Sequence, residues 1–583
     1  MQQLPIETYG NPQVAALPNR LRRYIVPQPY DRYTPVDHAV WRYVMRQNYS
    51  YLKDAAYYPY IPGLKHAGLT IERIPSMQEI NDALASIGWG AVTVDGFIPP
   101  AAFMEYQAFR VLVIAADIRQ LDHIEYTSAP DIIHESAGHA PIISDAAYNR
   151  YLSRLGEIGT RAIFSRQDQA LYEAIRALSI LKELPHPDPQ ALAEAEERVA
   201  FLQANMGTPS EMALLSRLQW WTVEYGLIGS VEHPKIFGAG LLSSIGESQW
   251  CMGPEVKKIP YTIDAVHQSY DITKPQPQLF VTPTFEHLLD VLETFEAAMA
   301  WRKGGADGLQ QAIDAQTVCT AVFSSGLQVS GVFSEMLTDD QGCVIYVRTQ
   351  GPSVLSYQDV ALPGHGADHH HHGYGSPVGP LALLETDLLS LDITPGRLMT
   401  LRFASGIMVE GVLTNSVHRD GRLLLLTFQY CTVMDGQGQL LFSPDWGLYD
   451  MAVGDEIVSV FGGTADREVD VASLTVSVQQ TDRPEYTRSD LDYQSLFRRV
   501  REVRENSLPS EELLAVIDEL QVNHPNEWLC RLEILEILED REAHTDACRQ
   551  LRSVLNKRKS EDPSLSKRIE NGLGIIDARL KFE

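Results

Sequence analysis

The sequence predicts a multidomain α+β protein, in which a mainly α-helical first domain is followed by a small antiparallel β domain and a C-terminal helical bundle. Three observations predict it. Over residues 37–295 apolar side chains recur at three- and four-residue spacing, as in Val40, Val44 and Tyr51 and again in Phe285, Leu288, Leu289, Leu292 and Phe295. Over 316–481 the residue choice shifts to Val, Leu, Thr and Phe runs broken by Asp420-Gly421, between TNSVHR and RLLLLTF, and by Asp435-Gly436, between QYCTVM and QLLF. Both central positions of a type I′ hairpin turn need positive φ, which Asp-Gly tolerates. After Arg483-Pro484 the helical period returns in LFRRVREVRENS, PSEELLAVIDEL and NEWLCRLEILEILED, the pattern of a helical-hairpin bundle or a degenerate helical repeat.

These shifts set the expected boundaries: an N-terminal extension at 1–33, the helical domain at 34–315, the β-rich domain at 316–483 and the helical C-terminal domain at 484–583. Inside the first domain, Leu171, Ile175, Leu178 and Leu181 mark one amphipathic helix and Leu192, Val199 and Leu202 another. Pro185, Pro187 and Pro189 must break the chain between them, so a helical hairpin is expected at about 166–206.

Composition narrows the partners. The 583 residues carry 48 Lys and Arg against 76 Asp and Glu, a formal charge of −28, with 44% hydrophobic residues. So acidic a chain lacks the basic stripe that binding to nucleic acid or to an anionic membrane surface requires, which leaves small molecules and proteins. The cysteines at 251, 319, 343, 431, 530 and 548 form no C-x-x-C pair, and MQQLPIETYG has neither the basic head nor the apolar stretch of a signal peptide. Reduced thiols and a cytoplasmic location are expected.

The segment from Ser128 to Pro141 carries the chemistry. His134 and His139 are five residues apart, not the four that place two histidines on one face of a metalloprotease helix. On an unbroken α-helix the fifth residue is rotated about 140° from the first. A short helix is therefore expected, capped by Ser128, with Pro130 in its first turn and Gly138 ending it just before His139. Two histidines so placed need a carboxylate to complete a metal site. Glu224 is the candidate, because an ionised acid in LQWWTVEYGL costs several kcal/mol unless it is paired or binds a metal. Trp220, four residues earlier, shares its helical face. Two histidines and one carboxylate with open positions describe the facial triad of a non-haem Fe(II) oxygenase.

PDIIHESAGHAPIISD, WWTVEYGL and KIFGAGLLSSIGESQWC, with FMEYQAFRV and Ile118-Arg119 upstream, resemble in order the signature segments of the pterin-dependent aromatic amino acid hydroxylases. The resemblance runs from about residue 34 to 295. It implies an Fe(II)- and tetrahydropterin-dependent monooxygenase that takes O2 as co-substrate and hydroxylates the ring of a free aromatic amino acid, phenylalanine to tyrosine first. Tryptophan, tyrosine or a modified aromatic amino acid are the alternatives. His134, His139 and Glu224 would hold the iron. Tetrahydrobiopterin or a relative would stack on Phe103, behind Ile98, with Glu135 reaching it through water. Arg119, held by Asp131, would bind the substrate carboxylate with help from Thr127 and Ser243, and Trp220 would bound the ring pocket. Pterin-recycling enzymes are implied as partners. The segment Ile98-Pro99-Pro100-Ala101-Ala102 departs from the animal enzymes, which carry pterin-contacting serines there; proline offers neither a hydroxyl nor an N–H. The spacing from His139 to Glu224 also exceeds the family pattern, and the expected hairpin accounts for the excess.

Two readings of another class stand beside this one. A non-catalytic scaffold on a degenerate hydroxylase fold would bind no stoichiometric iron, and a zinc hydrolase using Glu135 as base would need no O2. The C-terminal helices are expected to dock a protein partner or to self-associate. His365 and the run His369–His372 are read as a solvated glycine-rich loop, with a metal-binding histidine cluster as the alternative.

Overall fold

The computed structural model describes residues 7–579 except 59, 97, 122–123, 126–129, 184–187, 272–273, 382–393 and 470–485. It contains helices and antiparallel and parallel strands in the order expected of a multidomain α+β chain. The organising element is the helix Pro35–Ala55. Its start is fixed by a reciprocal cap, in which Asp37 N–H donates to Thr34 Oγ1 at 3.1 Å and Thr34 N–H to Asp37 Oδ2 at 2.8 Å, with Pro35 in the first turn. Every residue from His38 to Asn48 is buried, so this helix is covered all round rather than on one stripe.

One side of that helix holds the segment that follows Glu224: Asn48 Nδ2 donates to Leu242 O at 3.1 Å. Beside it, Gly90–Val94 and Val111–Ala115 pair in parallel, joined through the crossover helix Pro100–Ala108 that carries Phe103. Val14, Leu17, Leu21 and Tyr24 of the N-terminal segment pack on this unit with Tyr106. A four-stranded sheet, ordered 234–236, 227–229, 278–282 and 257–260, buttresses the segment after Glu224. Arg166–Glu183 and Pro189–Ala204 are two helices packed together.

The β region forms two sheets, one built on Val318–Phe323, Leu327–Thr338 and Val344–Tyr357, the other on Met408–Arg419 and Arg422–Met434. Asp420 and Gly421, at φ 49° and 75°, make the two-residue turn that the sequence predicts. Asp435-Gly436 does not. Asp435 Oδ1 instead accepts from the N–H groups of Gln437 and Gln439 at 2.9 and 2.7 Å, and positive φ falls on Gly438, so a longer loop closes this hairpin.

The five helices between Arg488 and Asp577 do not stand apart as a separate bundle. They share one apolar core with the first domain, and Trp528 meets Tyr43 edge to face at 5.3 Å between centroids. Arg42, on the central helix, is buried with Glu533 in a two-pronged pair, Nε–Oε1 at 2.5 Å and Nη2–Oε2 at 2.7 Å. Beside it Arg46 pairs with Glu536, and Tyr43 donates to Arg568 O at 2.8 Å. Among the described residues no helix is long and apolar enough to cross a membrane.

The buried pair gives a stability test. Burial pushes the Glu533 carboxyl up, but Arg42 overrides it and holds the group down at about 2. Its contribution is therefore fully present above about pH 4.5 and is lost as pH falls through about 2. Glu533→Gln, which leaves the Arg42 charge buried and uncompensated, is expected to cost about 3–5 kcal/mol in urea unfolding at pH 7. The gap from wild type should narrow in acid, and a gap that is constant with pH would refute the assignment.

Candidate active site

The segment that sequence periodicity ends at Gly138 does not end there. Ile133–His139 is a π-helix that runs straight on into Ala140–Ile143. A helix bonded i→i+5 turns less per residue than an α-helix, so positions five apart come back toward one face. His134 and His139 thus point together without a break in the chain. Its first turn is capped by Asp131, whose Oδ1 accepts from His134 N–H at 2.9 Å; Ser128, the expected cap, lies outside the described residues. Glu224 ends a second π-helical turn, Trp220–Glu224, closed by Tyr225 N–H to Trp220 O at 2.9 Å.

The two turns bring three ligand-type side chains together. His134 Nε2 lies 3.3 Å from His139 Nε2 and 3.3 Å from Glu224 Oε2, and His139 Nε2 lies 3.5 Å from Glu224 Oε1. A single first-row ion about 2.1 Å from each atom spans such gaps, and two imidazoles with one carboxylate suit iron. Burial disfavours charge on His134, but the facing Glu224 raises its pKa to about 9, while His139 is pushed down to about 4 by burial. Burial pushes Glu135 up to about 8, and its Oε2, 3.7 Å from His139 Nε2, has no hydrogen-bond partner among the described residues. A buried acceptor left so needs a water or a ligand group.

Ser243 lines the cavity beside Arg119 and also meets His134. Its Oγ sits 3.0 Å from His134 Nδ1, where it orients the ring, and its carbonyl accepts from Arg119 Nη1 at 3.3 Å. The helix Ala239–Ser243 comes this near because residue 138 is glycine: a Cβ there would lie 2.8 Å from Ala239 O. Arg119 is gripped by Asp131 through Nε–Oδ2 at 2.8 Å and Nη2–Oδ1 at 2.9 Å. Burial opposes the Asp131 charge, yet the guanidinium holds the carboxyl below its ordinary value. Two of the five guanidinium N–H groups remain uncommitted among the described residues, a fork suited to a second carboxylate.

These groups open on one cavity of about 400 Å³, lined also by Ile98, Phe103, Glu135 and Trp220. Thr127 lies outside the described residues. Among the lining residues that sequence reasoning missed, four bear on the chemistry. Tyr270 stacks on Trp220 at 4.3 Å and 10°, and Tyr225 stacks on the same indole at 4.6 Å. Tyr172 enters from the helix Arg166–Glu183, and half-buried Glu247 accepts from Tyr225 OH at 2.9 Å. Glu247 was findable as a second acid in an apolar motif; the lone tyrosines 172 and 270 give no signal in sequence.

If Ser243 fixes the His134 ring, Ser243→Ala should weaken metal affinity about 10–100-fold in a chelator competition while leaving the melting temperature nearly unchanged. Unaltered affinity would remove that role.

The profile of the biopterin-dependent aromatic amino acid hydroxylase family matches residues 21–169 and 190–338, just over half of the chain. The unmatched stretch, 170–189, begins inside the helix Arg166–Glu183 and ends at the first residue of the helix Pro189–Ala204. The phenylalanine-4-hydroxylase of Mesorhizobium japonicum is 28% identical over 301 residues, 51% of this chain and 91% of that protein. That of Bos taurus is 28% identical over 284 residues, 48% of this chain and 53% of that protein. A solved Chromobacterium violaceum phenylalanine hydroxylase, described with bound iron (III) and oxidised 7,8-dihydrobiopterin, aligns at 25% identity with a TM-score of 0.37, covering 48% of this chain and 92% of its own. The chain belongs to the biopterin-dependent aromatic amino acid hydroxylase family.

Proposed function

We propose that this chain is an Fe(II)- and tetrahydropterin-dependent monooxygenase of the cytoplasm that hydroxylates free phenylalanine to tyrosine. The observation that carries the reading is the convergence of His134, His139 and Glu224 within 3.3–3.5 Å of one another, in a cavity that also holds an aromatic wall and a buried arginine fork. Family membership and phenylalanine-4-hydroxylase relatives support it. Ferrous iron and tetrahydropterin together supply the electrons and the coordination site that activate O2.

The chain's own residues do the rest. His134, His139 and Glu224 would hold the ion through two neutral rings and one carboxylate, leaving other positions open. Phe103, on the rim of the helix Pro100–Ala108, offers a face on which a pterin ring stacks, and Ile98 closes the apolar edge beside it. Glu135, kept protonated up to about pH 8 by burial, can donate a hydrogen bond to a pterin directly or through one water. Arg119, rigid because Asp131 holds two of its donors, would meet the substrate carboxylate. Trp220, Tyr225 and Tyr270, packed on one another at the cavity wall, would bound the space for the substrate ring and help exclude water. The oxidised pterin would return to its reduced form on separate pterin-recycling enzymes.

The full chain, loaded anaerobically with Fe(II) and then given O2, a tetrahydropterin and phenylalanine, tyrosine or tryptophan in turn, should form tyrosine from phenylalanine, and His134→Ala should abolish it. Phe103→Ala should raise the pterin KM about 2–10-fold, the worth of one stacking contact. Pterin oxidation with no amino acid product would overturn the substrate assignment, and bound iron without pterin oxidation would overturn the activity.

A further inference from the structure

The glycine-rich histidine loop is not a solvated tether. It runs beside the strand Val344–Tyr357, to which its backbone is tied: Leu355 N–H donates to His365 O at 3.0 Å and Ser353 N–H to His370 O at 3.1 Å. Inside the loop His370 N–H donates to Gly366 O at 3.2 Å. This anchoring turns His365, His369 and His370 toward one point, while His371 and His372 stay exposed.

At that point stands Asp450, from the strand Tyr449–Ala452 of the other β sheet. Thr427 Oγ1 donates to its Oδ1 at 2.6 Å, which fixes the carboxylate and frees Oδ2 to face the imidazoles. Oδ2 lies 2.8 Å from His369 Nε2, 3.6 Å from His365 Nδ1 and 3.8 Å from His370 Nε2. His365 and His370 are each only 8% exposed, and those two ring nitrogens have no hydrogen-bond partner among the described residues. A hydrogen-bonded His369–Asp450 pair therefore satisfies one ring and leaves two buried nitrogens facing the same oxygen without a bond. Buried polar atoms are seldom left in that state. One cation satisfies all three rings and the carboxylate together.

We propose that His365, His369, His370 and Asp450 form a second metal site, for zinc, that clips the histidine loop of one β sheet to the strand of the other. All four ligand atoms lie within 4.8 Å of one another. Atoms tetrahedrally placed about 2.0–2.1 Å from zinc are about 3.3 Å apart, within the 2.8–3.8 Å range that separates Asp450 Oδ2 from the three ring nitrogens. Three imidazoles and one carboxylate, all from the protein, make a closed set, which suits a structural ion, and Thr427 is the positioning residue that orients the acid. None of the four lines the cavity at His134, so the site is distinct from the hydroxylase centre.

The test uses the full chain carrying His134→Ala and His139→Ala, so that the hydroxylase centre does not compete for zinc. After chelation and dialysis this protein should take up one equivalent of zinc. It should melt at a higher temperature with zinc than without, and its zinc X-ray absorption should show scattering from imidazoles. Adding His370→Ala or Asp450→Asn should weaken zinc binding at least about a hundredfold, whereas adding His371→Ala should not change it. Asp450→Asn keeps the side-chain size, and the absorption spectrum of the parent decides the matter if either variant misfolds. No zinc equivalent in the parent, a spectrum without imidazole ligands, or equal loss in His371→Ala, the mark of loose binding to a histidine tract, would overturn the proposal.

Discussion

The arrangement of the site depends on the helical pitch between His134 and His139. Five residues of α-helix would send the two rings to different sides, and a chain break between them would leave the second ring on a loop. The π-helical turn at Ile133–His139 avoids both, because it widens the turn and keeps the backbone continuous into Ala140–Ile143. The same device recurs at Trp220–Glu224. Two widened turns, each less stable by itself than α-helix, face one another and present two rings and a carboxylate at 3.3–3.5 Å. Their neighbours hold them in place: Asp131 caps the first turn and grips Arg119, and Ser243 bonds both His134 and Arg119. The proposed metal ligands and the proposed substrate fork are thus parts of one hydrogen-bonded unit, so a change at either should be felt at the other.

The first domain and the C-terminal helices are built outward from the helix Pro35–Ala55. One side steadies the segment after Glu224 through Asn48, and the other receives the C-terminal helices through Arg42, Tyr43 and Arg46. The pairing of Arg42 with Glu533 makes the tail part of the core that supports the site. The helix Arg166–Glu183, which sends Tyr172 into the cavity, ties a second peripheral element to the chemistry.

What was legible in the sequence was chemical rather than geometric. An acid in LQWWTVEYGL and two histidines in HESAGH are costly unless they share a ligand, and that reasoning finds Glu224, His134 and His139 without any fold. The geometry was hidden because apolar periodicity assumes 3.6 residues per turn and carries no mark of a π-helical turn. Asp420-Gly421 is local and was readable, while Asp435-Gly436 failed because the Asp435 side chain captures two N–H groups and favours a longer loop. Arg42–Glu533 spans 491 positions and His369–Asp450 spans 81, and no pattern along the chain links such partners. Histidines in a glycine-rich run look solvated until strand backbone is seen to anchor them.

The central claim is that His134 and His139 bind one iron together because a π-helical turn aligns them. The measurement that tests it most directly is iron K-edge X-ray absorption on the Fe(II)-loaded full chain, which sees iron alone whatever other metal is present. The account predicts scattering from two imidazoles and one carboxylate, reduced to a single imidazole in His139→Ala. A spectrum that shows one imidazole in the wild type, or that is unchanged by His139→Ala, would contradict it.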